Sequence, residues 1–426
     1  MSITDRIWVR RSLLVAAAAA LVVLMITPTM HLYGRITEPP SDSEKSWNGE
    51  PVDLASFEGP DLADEDNAAT WLVAGAGAVV WSKEDSAKIG EASLEPFEDW
   101  SSELRKETES ALERYHGALE TLHVAAELEH SSYGIRYSDG LEAEMPDFLS
   151  LITASRLLLA EARVAFAHDD PDRGLVAFAT LSRLASSLEE ESATLTALIG
   201  LASERMLLVA AAETAGSDRP WAGQHAFLDE LEATLSPVDL VAMLSRTFAV
   251  WAGTLCQSVE RGPGQGPEEA DQSPGKPDEP DCAEILEAGL RAVEASIVPY
   301  GSDPERFEKT DGFMKSLSEP VMSDLLKSFG SVIARAQSVN AQRQLVRAAI
   351  EMRRIGADSG SYPRKRPGIP ELAEPNPFTD ELIGYELQED GSLRLELVGA
   401  GELLAPTTVP GMSKIIAPVV LPAPGS

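Results

Sequence analysis

From Leu104 onward most of the chain repeats apolar residues every three or four positions, the spacing that lays one apolar stripe along a helix. Ala111, Tyr115, Ala118, Leu122 and Ala125 follow Leu104 in that rhythm and predict a helix running to about His130. An earlier helix is predicted over Asp64 to Trp81, and Pro96 sits where another can begin. Pro146 to Ala167 and Arg173 to Leu188, joined by His168-Asp169-Asp170-Pro171, predict an antiparallel helical hairpin. Leu195 to Thr214, Trp221 to Leu235 and Val238 to Val259 continue the series. Ala283 to Ile297, Gly312 to Phe329 and Ser331 to about Ile355 complete it. Only then does the period change. Glu381 to Glu389 and Ser392 to Val398 read as strands around Asp390-Gly391, a hairpin-turn pair. The pattern therefore predicts a mainly α protein, an antiparallel bundle or stacked helical hairpins, with a small helix plus β-hairpin module at the carboxyl end.

The amino terminus departs from this texture. Leu13 to Ile26 is uninterrupted apolar sequence behind Arg6, Arg10 and Arg11, and no charge appears until Arg35. The span from Ser12 to Tyr33 is long enough to cross a bilayer core, which takes about 20 helical residues. Thr27-Pro28-Thr29 is a poor signal-peptidase site, so the segment reads as a transmembrane signal-anchor with its arginines in the cytoplasm. The bulk of the chain is then extracytoplasmic or periplasmic, held at the inner membrane of a cell envelope; the alternative is export after signal cleavage. The boundaries predicted are 1–11 cytoplasmic, 12–33 anchor, 34–60 stalk, 61–259 α-helical domain, 260–282 flexible acidic Pro/Gly loop, 283–356 helical segment, 357–402 β module and 403–426 Pro-rich tail. Within the helical domain, Ser131 to Pro146 breaks the helical rhythm and reads as a long connection holding Tyr133 and Tyr137.

Composition narrows the partners. A formal charge of −34 argues against nucleic acid, whose backbone is bound by lysines and arginines that displace counterions. The same sign repels anionic lipid, so membrane contact falls to the anchor. Cys256 and Cys282 bracket the acidic loop, and in an oxidising compartment a disulfide between them would close it, at about 3 to 4 kcal/mol by chain-entropy arithmetic. Two unpaired thiols are the alternative.

Candidate chemistry is sparse. Glu113-x-x-His116, Glu120-x-x-His123 and Glu127-x-x-His130 repeat at heptad spacing. Di-iron bundles use such pairs, but they need matching carboxylates from other helices. Histidines a heptad apart on one helix lie about 10.5 Å from each other, too far to share a metal. His116, His123 and His130 therefore read as boundary positions of a structural or pH-responsive face. Glu189-Glu190-Glu191 reads as a solvated helix end, and Arg364-Lys365-Arg366 as a solvated basic loop. Trp71, Trp81, Trp100, Trp221 and Trp251 read as core or interface anchors. Asp380, Glu389 and Asp390 are too few for calcium. Motifs for a serine nucleophile, a zincin, a phosphate loop or haem attachment are absent from the sequence. No catalytic residue, cofactor or metal ligand is assigned.

Gly360-Ser361-Tyr362-Pro363, then Asn376-Pro377-Phe378-Thr379, Tyr385, Asp390-Gly391 and Gly399, following a helix, resemble the carboxyl-terminal part of major type II secretion pseudopilins. The resemblance covers Arg347 to Gly399. It departs at three places: the prepilin cleavage pattern is lacking, Asn376 stands where aspartate is usual, and Asp380 replaces a glycine. Asn67-Ala68-Ala69 and the helices from Pro146 to Ala215 resemble uncharacterised anchored helical envelope proteins of bacteria. Gly174 and Phe178 fall near the small and aromatic positions of a tetratricopeptide unit, without a second copy. These readings imply an interaction or scaffold protein whose partners are other envelope proteins. The alternatives are a component or regulator of a pilus-like or type II secretion-like apparatus, and a metal-dependent enzyme whose site is not visible in sequence.

Overall fold

The computed structural model describes residues 53–219, 224–235, 242–243, 245–247, 249–250, 253–254, 320–400 and 418–424. The expected anchor, the Cys256 and Cys282 pair and most of the tail from Leu403 lie outside the described residues. Among the described residues the protein is mainly helical, with one three-stranded antiparallel sheet.

Packing begins before the Asp61 boundary expected from sequence. Leu54 is buried in a 3-10 turn, Leu54–Phe57, and the Glu58 carboxylate accepts from Ser138 N–H (3.1 Å) and Ser138 Oγ (2.6 Å). Helix α1 (Ala68–Gly77) is capped by Asn67, whose carboxamide oxygen accepts from Ala69 N–H and Ser132 N–H while its amide donates to the Ser132 carbonyl. One side chain thus starts a helix and pins the 131–146 connection to it. Helix α2 (Lys83–Ala92) escaped the sequence reading because Ile89 and Ala92 are its only buried apolar residues; Ser82 caps it by accepting from Asp85 N–H.

The single helix expected over Leu104 to His130 is divided. Helices α3 (Ser102–Arg114) and α4 (His116–Val124) meet at Tyr115, which leaves the helical region (φ −98, ψ 13), and Ala125–Glu127 finishes as a 3-10 turn. The cause is tertiary. The Tyr115 ring meets Trp81 edge-on at 5.0 Å, and its hydroxyl donates to Asp85 Oδ2 (2.9 Å), with the Val80 carbonyl equally near.

Helices α5 (Phe148–Ala167) and α6 (Pro171–Glu190) form the expected hairpin. Asp170 caps α6 by accepting from Arg173 N–H, Pro171 takes the first helical position, and Asp169 turns the chain at φ 56. Helix α7 (Thr194–Gly216) packs on α5 and α6, so the three form the central layer. It is long and apolar enough to cross a membrane, yet most of it is buried inside the protein, and it serves as a core helix. Helix α8 (Gln224–Ala233) packs on α6. Helix α9 (Pro320–Ser359) lies against α7 and α8 and runs unbroken through Gly330, where two helices were expected. A lone glycine costs a helix only about 1 kcal/mol, too little to end it.

After a short helix α10 (Pro370–Ala373), strands β1 (Gly384–Leu387) and β2 (Leu393–Glu396) pair with Tyr385 opposite Leu395. Gly391 makes their turn at φ +85. Asn376 is fully buried and accepts from Phe378 and Thr379 N–H while donating to the Glu381 carbonyl, which fixes the Pro-Phe turn. The third strand comes from the tail: β3 (Val419–Leu421) pairs with β2 and lies on α7 and α9. This part of the tail extends along the domain itself.

Candidate functional site

An open groove of about 780 Å³ runs between the Ala125–Glu127 turn, α6 and α8. Val176, Ala179, Arg183, Ser186 and Glu190 recur every three or four residues on α6, so they line one side as a stripe while Leu181 and Leu184 enter the core. Leu128 and Leu175 complete an apolar floor, and Glu129, Asp172 and Glu230 stand with Glu190 around the rim. Arg183 is already engaged: it pairs with Glu190 (3.3 Å) and donates to the Glu129 carbonyl (2.9 Å).

Ser182, Ser186 and Thr234 also border a second void of about 10 Å³ that reaches Glu189 and Glu204. Glu189 of α6, Glu204 of α7 and Arg343 of α9 are all buried. Gly200 permits this approach, since a Cβ there would sit 2.7 Å from Glu189 Cγ. Arg343 donates to Glu204 Oε1, whereas neither Glu189 oxygen meets a donor outside the pair. Burial first, then the charge of Glu204, push the Glu189 carboxyl well above the ordinary range, with Arg343 opposing. Burial and the neighbouring carboxylate thus favour the protonated form of Glu189, and Arg343 pairs with Glu204. A void the size of one water-sized sphere admits no organic substrate, so the trio ties three helices together.

Two further buried groups join elements in the same way. Arg163 makes a bidentate pair with Glu213 (2.8 to 3.1 Å) and donates to the Ala92 carbonyl, tying α2 to α5 and α7. Burial raises Glu213 above its usual range even so. Glu191 accepts from Tyr133 N–H and Tyr137 Oη, which anchors the 131–146 connection at the α6–α7 junction; burial raises this carboxyl too. The expected solvated helix end is thus overturned: Glu190 is exposed, but Glu189 and Glu191 face the interior. The readable signal lay elsewhere, in charges embedded in apolar helix, Glu161 and Arg163 in α5 and Glu204 in α7.

The three histidines do not share one environment. His116 is exposed beside Glu120 (3.3 Å), and His130 follows the 3-10 turn, its carbonyl accepting from Ala68 N–H (3.0 Å). His123 is engaged by other helices, with Nδ1 2.8 Å from Thr180 Oγ1 and Nε2 3.0 Å from Glu161 Oε2. Thr180 gives its own proton to the Val176 carbonyl, and Glu161 accepts from Arg173 as well. Arg364 and Lys365 are exposed, and Arg366 donates to the Ile383 carbonyl. Trp100 is buried with its indole N–H on the Glu95 carbonyl. Trp221 and Trp251 lie outside the described residues. Among the described residues no three His, Cys, Asp or Glu side chains gather as a metal site.

Known proteins add no identity to this geometry: no family model matches the chain, and neither curated proteins nor solved structures give a match.

Proposed function

We propose that the chain is a membrane-anchored extracytoplasmic interaction or scaffold protein, and that the α6–α8 groove is where it engages another envelope protein. The observation that carries this reading is the groove itself: an open apolar floor on helices fixed to the core, with Val176 46% exposed. Concave apolar surfaces with a polar rim mark binding sites more often than they mark bare surface. The basic flank before Leu13 supports the anchor and its orientation. The test is photo-crosslinking in native membranes from a reactive residue at Val176, with Leu94, 81% exposed, as control. A discrete protein adduct from Val176 and none from Leu94 supports the reading. Identical patterns from both positions overturn it.

A second reading, a component or regulator of a pilus-like apparatus, is favoured by α9 ending at Ser359, just before Tyr362-Pro363, with the Pro-Phe turn and the β1–β2 hairpin following. Loss of secretion or piliation on deleting residues 357–402, with the helical part still folded, is its test.

A further inference from the structure

We infer that the partner element entering the groove is a cationic amphipathic α-helix. This rests on the docking reading above and names the chemistry of the occupant. Four carboxylates, Glu129, Asp172, Glu190 and Glu230, stand around the groove against one cation, Arg183. Arg183 adds no free charge, because it is tied to Glu190 and to a backbone carbonyl. The rim is therefore net anionic around an apolar floor, and it complements lysine or arginine flanking an apolar ridge. The same charge repels phosphate-rich ligands and anionic lipid.

The walls decide the backbone conformation of the occupant. They are α6, α8 and the Ala125–Glu127 turn with Leu128 and Glu129 after it, whose Glu129 carbonyl already accepts from Arg183, so among the described residues no named strand edge lines the groove for an extended peptide to pair with. A helix satisfies its own backbone and needs only side-chain contacts. Size agrees. A helix about 10 Å across has a cross-section near ~80 Å², so a 780 Å³ groove takes about two turns of it. The floor residues Val176 and Ala179 are small enough to accept leucine-sized knobs.

The test uses the full chain in detergent and a labelled synthetic helix with leucines on one face and lysines on its flanks. Its twin carries glutamate in place of lysine. Saturable binding of the lysine helix at least about tenfold tighter than its twin, weakened by salt and reduced about tenfold by Glu230→Lys or by Val176→Arg, supports the inference. Equal binding of both helices, binding indifferent to both substitutions, or competition by spermidine as strong as by unlabelled helix overturns it. Both substitutions are at exposed positions, and circular dichroism verifies their folding. The lysine helix is also added to the Val176 crosslinking experiment. If the protein adduct forms and the helix does not displace it, the docking reading stands and the cationic-helix inference fails; if neither adduct nor binding appears, both fail.

Discussion

Glu189 sits between α6, α7 and α9 with no cation on either carboxylate oxygen, and the burial that raises it links its proton to stability. Below the ordinary glutamate value, about 4.3, folded and unfolded chains are both protonated there. Above it the unfolded chain releases the proton while the folded chain retains it, so stability falls by about 1.4 kcal/mol per pH unit until the folded group also ionises. Glu189→Gln should therefore match the parent near pH 4.5 and exceed it at pH 8 in urea titrations; equal stability at pH 8 refutes the proton-holding role. His123 makes a different prediction. Its removal by His123→Ala takes one of two donors from Glu161, whose side chain is only 4% exposed, and should cost about 1 to 3 kcal/mol in thermal unfolding. The heptad of Glu-x-x-His pairs was legible in sequence, but which histidine is engaged was not. That choice depends on α5 and α6 arriving beside α4.

At the scale of elements, the hairpin of α5 and α6 was readable almost to the residue, because its periodicity, its Asp-Asp-Pro turn and its cap are all local signals. Its tightness is set by Gly174, where a Cβ would lie 2.4 Å from the rigid Phe166 ring. Gly174→Ala should destabilise by about 1 to 3 kcal/mol through overpacking, outweighing a helix-propensity gain of about 1 kcal/mol. Gly90 of α2 has nothing within 4 Å of such a Cβ, and Gly90→Ala should stabilise by about 0.5 to 1 kcal/mol. Denaturation midpoints of the pair check both signs, and a stabilised Gly174 variant would refute the close packing. Elements without a local signal were missed or misdrawn. Helix α2 has too few apolar residues to show a stripe, the α3–α4 break is imposed by Trp81 and Asp85, and β3 is recruited from the tail by β2, α7 and α9. The groove was hidden for the same reason, since its residues come from three elements far apart in the chain.

Across the whole molecule, buried acids set the response to pH. Glu189, Glu191 and Glu213 are all raised by burial, so each adds stability at acidic pH that declines as pH climbs above about 4.3. Asp85 works in the opposite sense: burial raises it, but donors from Arg114 and Tyr115 outweigh burial and leave it lowered, so its contribution declines only as pH falls below the ordinary aspartate range. With a formal charge of −34 adding self-repulsion at high pH, the unfolding temperature should be higher at pH 5 than at pH 8. A calorimetric scan showing the reverse order refutes the balance. The sequence by itself determined the mainly helical class, the α5–α6 hairpin and the β1–β2 turn, because periodicity, capping and turn chemistry act over a few residues. Only the tertiary structure decided that Glu189 and Glu191 turn inward while Glu190 faces water, that His123 meets Thr180 and Glu161 of two other helices, and that a groove opens beside α6. Burial and distant charge partners depend on which helices meet, and the order of residues along one helix does not carry that information.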